Sequence, residues 1–233
     1  MTPAGPAVTL RRVTKSFPIA DGRQLPVLDV EHLELAAASC MVITGRSGSG
    51  KTTLLNLVAG VSVPTGGTIV VHGTEITALP ESQRDRFRSE QIGYVFQTFN
   101  LLPAFSALEN VMLAMMFART IPRRQQRARA SALLGRLGLG ARLAHRPAQL
   151  SRGEQQRVAI ARALANDPPL ILADEPCSSL DASTAREVLA VFLAVCRGEG
   201  KALLIVSHDE VVLGTGDRLL DMADVNAPAG EGA

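Results

Sequence analysis

The chain has 233 residues, 46% hydrophobic and 20% charged, with 24 basic against 22 acidic side chains. This is globular composition, and it excludes a disordered, collagen-like or disulfide-dense chain. A net charge of +2 and an aromatic content of 3% argue against a nucleic-acid footprint and against base-stacking platforms.

Apolar residues never run long enough for a membrane span. The stretches 111–118 and 189–196 fall short of the ~18 residues a bilayer crossing needs. The opening Met1-Thr2-Pro3-Ala4-Gly5-Pro6 lacks a basic segment followed by an apolar one, so no secretory signal is expected. Cys40, Cys177 and Cys196 are odd in number and far apart, with no zinc spacing, which fits a reducing cytosol. Only Lys15, Lys51 and Lys201 are lysines; the other basic residues are arginines.

In chain order, 8–13 and 27–35 alternate like strands, with Asp21-Gly22 a turn signal between them. The run 41–44 suits a fully buried strand. A helix is expected over 52–59, stopped by Gly60, then strands at 68–71 and 92–96. From 98 to about 150 the pattern is helical, with Leu108, Met112 and Met115 or Met116 at helical spacing. Pro122 suits the start of a second helix, which Gly138 and Gly140 end. Alternation resumes from Gly153, with a helix to about Asn166, a strand at 170–173 and a helix at 183–196. A strand at 202–206, a short helix and a last strand near 218–221 complete the order. It predicts an α/β fold with a mostly parallel sheet, an N-terminal antiparallel β region and an inserted helical subdomain. The expected domain is 1–225, with core 1–97 and 153–225 and helical subdomain 98–152. The tail 226–233, rich in Ala, Gly and Pro, is expected to be disordered.

Gly45-Arg46-Ser47-Gly48-Ser49-Gly50-Lys51-Thr52 fits GxxxxGK(S/T) between a buried strand and a helix. The glycines let backbone N–H groups turn inward around phosphate oxygens, and the helix N-terminus adds its positive dipole end. Lys51 is placed to reach β- and γ-phosphates and Thr52 to ligate Mg²⁺. Thr53 completes the nucleotide-binding set. Leu170-Ile171-Leu172-Ala173-Asp174-Glu175 is an apolar strand ending in two carboxylates. At the carboxyl end of a parallel strand, Asp174 suits Mg²⁺ and Glu175 suits a general base acting on water. The competing reading is a solvated strand end.

Leu150-Ser151-Arg152-Gly153-Glu154-Gln155-Gln156-Arg157 and the helix after it resemble the signature of ATP-binding cassette (ABC) ATPases, usually LSGGQ or LSGGE. Ser151 with Glu154 three residues on is also a helix-start pattern in its own right. Other positions match the family in order. Gln97 resembles the Q-loop glutamine, which implies a role at the metal and in catalysis. Ser179-Leu180-Asp181 resembles the D-loop, and His208 the switch histidine. Phe17 resembles the aromatic that stacks on adenine, against a rival reading as a core phenylalanine. The resemblance covers about 8–221. The stretch 95–103, continuing to Val111, is similar to the lipoprotein-releasing, macrolide-exporting and cell-division subgroup.

The resemblance implies a P-loop NTPase fold of RecA type. It implies an ATPase using ATP and Mg²⁺, active as an ATP-dependent dimer, with a homodimer expected. One chain supplies the phosphate loop, Gln97, Asp174, Glu175 and His208; the other supplies Ser151, Gly153 and Glu154, with Asp181 near the interface. The subunit would act peripherally on a separate membrane permease at the cytoplasmic face of the inner membrane, with contact near 99–116. Met112, Met115 and Met116 line that contact or serve as core. No nucleic-acid partner is expected, and the basic run from Arg119 to Arg129 reads as a solvated helix face. Rival readings are a soluble ABC ATPase acting on nucleic acid or ribosomes, and a hydrolysis-impaired regulatory subunit. Arg152, Cys177 and Ala38 depart from the family pattern, which has glycine, threonine and glycine there. After the last strand, Asp224-Val225-Asn226 stands where an Asp-Gly turn is usual.

Overall fold

The computed structural model describes residues 5–20 and 22–226. In chain order the elements are β1 (Val8–Pro18), β2 (Gln24–Leu35), β3 (Cys40–Thr44), α1 (Lys51–Val58), β4 (Gly66–Val71), β5 (Thr74–Glu75) and α2 (Glu81–Gln91). Next come β6 (Ile92–Val95), α3 (Ala107–Ala118), α4 (Arg123–Arg136), α5 (Arg152–Leu164), β7 (Leu170–Asp174) and α6 (Ala182–Gly198). The last are β8 (Ala202–Val206), α7 (Glu210–Leu213), β9 (Arg218–Asp221) and α8 (Met222–Val225). The chain divides into two compact units, 1–85 with 202–233, and 86–201. The segment 98–152, expected as a helical insertion, lies wholly in the second unit, together with β6, β7 and α6.

In the first unit an antiparallel sheet runs β2-β1-β4-β5. The β1–β2 register shifts between Lys15 and Ser16. A bulge of this kind bends the strand and re-aims the residues beyond it, Phe17 among them. Parallel strands β8 and β3 form the deep part of the unit, with Val42, Ile43, Ile205 and Val206 fully buried, and β9 pairs with β3 as a largely exposed strand. Strands buried on both faces read as continuous apolar runs rather than alternation. Helix α1 packs against β2, β4 and β8 through Leu54, Leu55 and Leu57, all fully buried. Each such side chain contributes about 1.5–3 kcal/mol when removed from water.

In the second unit β6 and β7 are parallel, Ile92 opposite Leu170 and Val95 opposite Ala173. A Cβ at Gly93 would lie 2.3 Å from the Ala163 carbonyl oxygen, so only glycine lets the α5 backbone come this close to β6. Asn110 is fully buried in α3 and organises the loop before it. Its amide donates to the carbonyls of Leu102, Phe105 and Ser106 at 3.2, 3.1 and 3.0 Å, and its oxygen accepts from Leu102 N–H at 2.8 Å.

Helix α2 falls where no helix was expected. It buries none of its residues, so no apolar stripe marks it in the sequence. The methionine stripe separates: Met115 is fully buried core, Met112 half-buried and Met116 exposed. Asn226, grouped with the tail, accepts from Asp29 N–H at 2.6 Å and donates to the Val27 carbonyl at 3.0 Å. Residues 227–233 and Asp21 lie outside the described residues.

Candidate nucleotide site

The phosphate loop leaves β3 and enters α1. Gly45, Gly48 and Gly50 take φ values of +148°, +78° and +96°, a region costly for residues with a Cβ. A Cβ at Gly45 would meet Met222 Cβ at 2.8 Å, and one at Gly50 would meet Leu28 Cδ2 at 2.8 Å. At Gly48 the same position has nothing within 4 Å. So Gly45 and Gly50 pack the loop down while Gly48 keeps its face open.

Lys51 is buried, and its ammonium donates to the Gly45 and Arg46 carbonyls at 2.7 and 2.9 Å. A Lys head has three donors, so one remains after these two bonds. Helix α1 opens on Gly50 with no side-chain cap and no acidic residue in its first turn. Its leading N–H groups and dipole therefore face an anion site without competition from the protein's own carboxylates. Ser49 Oγ is buried without a hydrogen-bond partner. A buried hydroxyl in that state is unusual unless a ligand satisfies it. This loop fits a phosphate chain.

The acidic pair ends β7. Asp174 and Glu175 are each only 6% exposed. Glu175 holds φ +45°, a strained backbone for a non-glycine residue. The turn is tied down because Ser178 donates to the Glu175 carbonyl from both N–H and Oγ, at 3.2 and 3.1 Å. Gln156 of α5, fully buried, donates to the Pro176 carbonyl at 2.6 Å. Sequence reasoning misses this residue as part of the site. Its one signal is a glutamine on a face otherwise filled by Gly, Ala and aliphatic residues. Burial pushes the Tyr94 hydroxyl pKa up strongly, and the Asp174 charge adds to the shift.

The signature begins α5. Ser151 is the N-cap: its Oγ accepts from Glu154 N–H at 3.2 Å, and Glu154 Oε2 accepts from Ser151 N–H at 2.8 Å. This is the expected capping box. Glu154 also accepts from Arg142 Nε at 2.9 Å, and that bond leads the causes that lower its pKa, followed by the Ser151 N–H.

Gly153 is held by packing. A Cβ there would lie 2.5 Å from Thr184 Cγ2. Thr184 is itself fixed by Asp181, whose carboxylate accepts its hydroxyl at 2.6 Å and its N–H at 3.0 Å. These bonds, the hydroxyl first, lower the Asp181 pKa. The signature glycine and the D-loop aspartate are thus brought together through one threonine.

Phe17 corrects one of its two readings. It is 40% exposed rather than core, and Lys15 Nζ sits 4.8 Å from its ring centroid. The ammonium takes one face of the ring by a cation–π contact. Gln97 follows β6 and is exposed; His208 follows buried Ser207 after β8 and is exposed. Ala38 holds φ +54°, which explains in physical terms why glycine suits that place. Cys177 is buried, its thiol 3.9 Å from the Ala185 carbonyl. After β9 the chain forms α8, with Asp221 capping Ala223 N–H at 2.8 Å. The phosphate loop and His208 lie in the first unit; Gln97, the acidic pair, the signature and Asp181 lie in the second.

A family model described as ABC transporter matches residues 28–178. The chain belongs to the ABC transporter ATPase family. Two lipoprotein-releasing system ATP-binding proteins, both named LolD, are close in length as well as sequence. That of Pseudomonas fluorescens is 45% identical over 85% of this chain and 87% of its own. That of Syntrophus aciditrophicus is 39% identical over 93% and 96%. The macrolide export ATP-binding/permease protein MacB of Burkholderia pseudomallei is 42% identical over 94% of this chain. This chain spans only 33% of that protein's length. Among solved structures, an ATP-binding cassette in a dimeric, post-hydrolysis state bound to ADP and Pi superposes with a TM-score of 0.83. It is 36% identical over 92% of this chain and 93% of its own. The ABC cassette fold, with its antiparallel β region, parallel strands and helical insertion, is therefore the fold of this ATPase. Among the described residues no helix is long and apolar enough to cross a membrane.

Proposed function

We propose that this ABC ATPase drives a separate membrane permease of the lipoprotein-releasing or macrolide-exporting kind, through ATP-dependent closure of two copies at the cytoplasmic face of the inner membrane. The observation that carries the reading is the phosphate loop: a buried Lys51, an uncapped α1 N-terminus and an unpartnered Ser49 hydroxyl, all converging on one anion.

Lys51 would exchange its loop carbonyls for phosphate oxygens, and the α1 N–H groups would hold the same chain of phosphates. Arg46, Ser47, Gly48 and Thr53 would complete the loop's contacts, and Phe17 would stack on the base. Thr52, Gln97 and Asp174 carry hard oxygen donors of the kind that suits Mg²⁺ and would be its candidate ligands. Bound there, the ion would neutralise charge developing on the phosphates. Glu175, held on its strained turn, would take a proton from the attacking water. Gln97 and His208 would orient that water and the γ-phosphate. A second copy would contribute Ser151, Gly153 and Glu154, and Asp181 would lie near the contact. Each copy would then prefer the closed dimer only while the γ-phosphate is present. A population shift needs a differential contact of that kind. Exposed Leu102 and Phe105, on the loop that Asn110 organises, would meet the permease.

The test is co-purification of the tagged chain with a candidate permease subunit of the lipoprotein-releasing or macrolide-exporting kind, followed by ATPase assays with and without that permease in nanodiscs. Stimulated hydrolysis that Glu175→Gln abolishes supports the reading. Hydrolysis indifferent to the permease and stimulated by ribosomes or DNA rejects it.

A further inference from the structure

Charge is spread unevenly along this chain. Positions 110 to 153 hold nine of the 24 basic residues, all arginine, and none of the 22 acidic ones. The rest carries 15 basic against 22 acidic residues, so a total near neutrality conceals a strongly basic stretch, with Arg123, Arg124, Arg127, Arg129 and Arg136 all in α4. The fold compensates several of these arginines internally. Arg129 lies 3.7 Å from Asp167, Arg142 lies 2.9 Å from Glu154, and Arg136 pairs with Glu199. Arg119, Arg123 and Arg124 are exposed, and among the described residues no ion pair holds them.

These three sit at one tip, where α3 ends and α4 begins. Phe117 stands beside them at 80% exposure, the most exposed large hydrophobic residue among those described, with Met116 next to it at 49%. The tip's backbone is set in advance. Arg119 closes α3 with φ +58°. Gln126 Nε2 donates to the Ile121 carbonyl at 3.0 Å, and Thr120 Oγ1 donates to Asn166 Oδ1 at 3.2 Å. Little ordering is left for a partner to impose.

Arginines with no counter-charge call for an anion, and a bare aromatic beside them calls for an apolar phase. A duplex nucleic acid satisfies the first and leaves Phe117 in water. A lipid–water interface satisfies both, with guanidinium groups on headgroup phosphates and the ring at the acyl boundary. We infer that the α3–α4 tip is a docking point for an anionic lipid surface. Arg119, Arg123 and Arg124 engage headgroup phosphates and Phe117 enters the headgroup–acyl boundary. This goes beyond the proposed function, and its binding readout involves neither nucleotide nor permease, so the two fail separately.

The experiment is co-sedimentation of the purified full chain with vesicles of phosphatidylcholine alone or mixed with phosphatidylglycerol. The parent is expected to bind only the anionic vesicles, with a partition coefficient that falls as salt rises. Each arginine near such a surface is worth about fivefold, so Arg119→Gln/Arg123→Gln/Arg124→Gln should lower binding roughly a hundredfold. Phe117→Ser should lower it by about tenfold while leaving the salt dependence in place. Both variants alter exposed side chains and should retain the parent's ATPase rate in solution. Equal binding to neutral vesicles, triple-variant binding like the parent's, or tighter binding of duplex DNA at the same salt would each overturn the inference.

Discussion

The guanidinium of Arg152, first residue of α5, donates from Nη1 to the Ser179 carbonyl at 3.2 Å. That bond joins the signature to the turn that runs from the acidic pair to α6. Gly153 and Thr184 make a second link, steric in kind, between the same two segments. In this chain the signature and the D-loop therefore move as one piece, and any contact a second copy makes with Ser151 is felt at Asp181.

Thr184 makes that coupling testable. Gly153→Ala would push a methyl to 2.5 Å from Thr184 Cγ2, the methyl of a β-branched side chain whose rotamer Asp181 locks through the hydroxyl. Overpacking of this kind costs about 1–3 kcal/mol. Thr184→Ser removes the methyl and keeps the hydroxyl for Asp181. The double variant should recover most of the urea midpoint that Gly153→Ala loses. If Gly153→Ala is as stable as the parent, or the serine restores nothing, packing is not why glycine stands there.

Lys51→Ala removes the only lysine in the phosphate loop. Nucleotide affinity in a calorimetric titration should fall by at least about a hundredfold, roughly 2.8 kcal/mol. The fold should persist, since the ammonium's two partners are carbonyls at the loop's own surface. Unchanged affinity would remove the loop from the site.

Glu175→Gln keeps size and hydrogen bonding but cannot accept the proton. Turnover should drop by about 10²–10⁴, the usual weight of a general base, with nucleotide affinity retained. The variant should then accumulate as an ATP-bound dimer of doubled mass in light scattering. Turnover near the parent's rate would move the base to another residue.

Sequence carried most of this site because its chemistry is local. The phosphate loop and capping box each need specific residue types within eight positions, so both stand out without a fold. The features hidden from sequence depend on distant neighbours. Helix α2 buries nothing, so its Glu- and Arg-rich sequence carries no period. Gln156 acts on Pro176, twenty positions away, and only packing of α5 reveals it. The exposed position of Phe17 stems from a register shift just before it, which alternation alone hides.

Lys201 heads a cluster outside the site. Its ammonium, 4% exposed, lies 2.7 Å from Asp167 and 3.2 Å from Glu199. The Lys201 hydrogen bond is the largest cause lowering the Asp167 pKa below 3.8. A carboxylate with a lowered folded pKa stabilises above its unfolded value, and the gain is lost as pH falls through the folded one. Lys201→Met should therefore lower the urea midpoint at neutral pH, with the deficit shrinking in acid as the pH falls through the lowered Asp167 value. A deficit of equal size at both pH values would show that the ion pair contributes nothing.

Arg152 is where this chain leaves the family pattern most visibly, and its bond to Ser179 makes its role measurable. The side chain is exposed and spends one guanidinium N–H on that carbonyl. Its remaining donors and its charge face outward, so it can steer an anion without filling the space above Gly153. Arg152→Ala removes charge and bond while keeping a good helix former in the first turn of α5; Arg152→Gly restores the family residue. Both should change the maximal ATPase rate by less than about tenfold, equivalent to roughly 1.4 kcal/mol in the barrier. The parent's apparent ATP affinity should weaken with salt more steeply than either variant's, because only the parent carries the extra cation. A gain well above tenfold in both variants would mean that Arg152 obstructs closure, and the chain would then be a restrained, regulatory ATPase. A gain in the glycine variant alone would assign the effect to backbone freedom at the start of α5 instead of to the arginine's bulk.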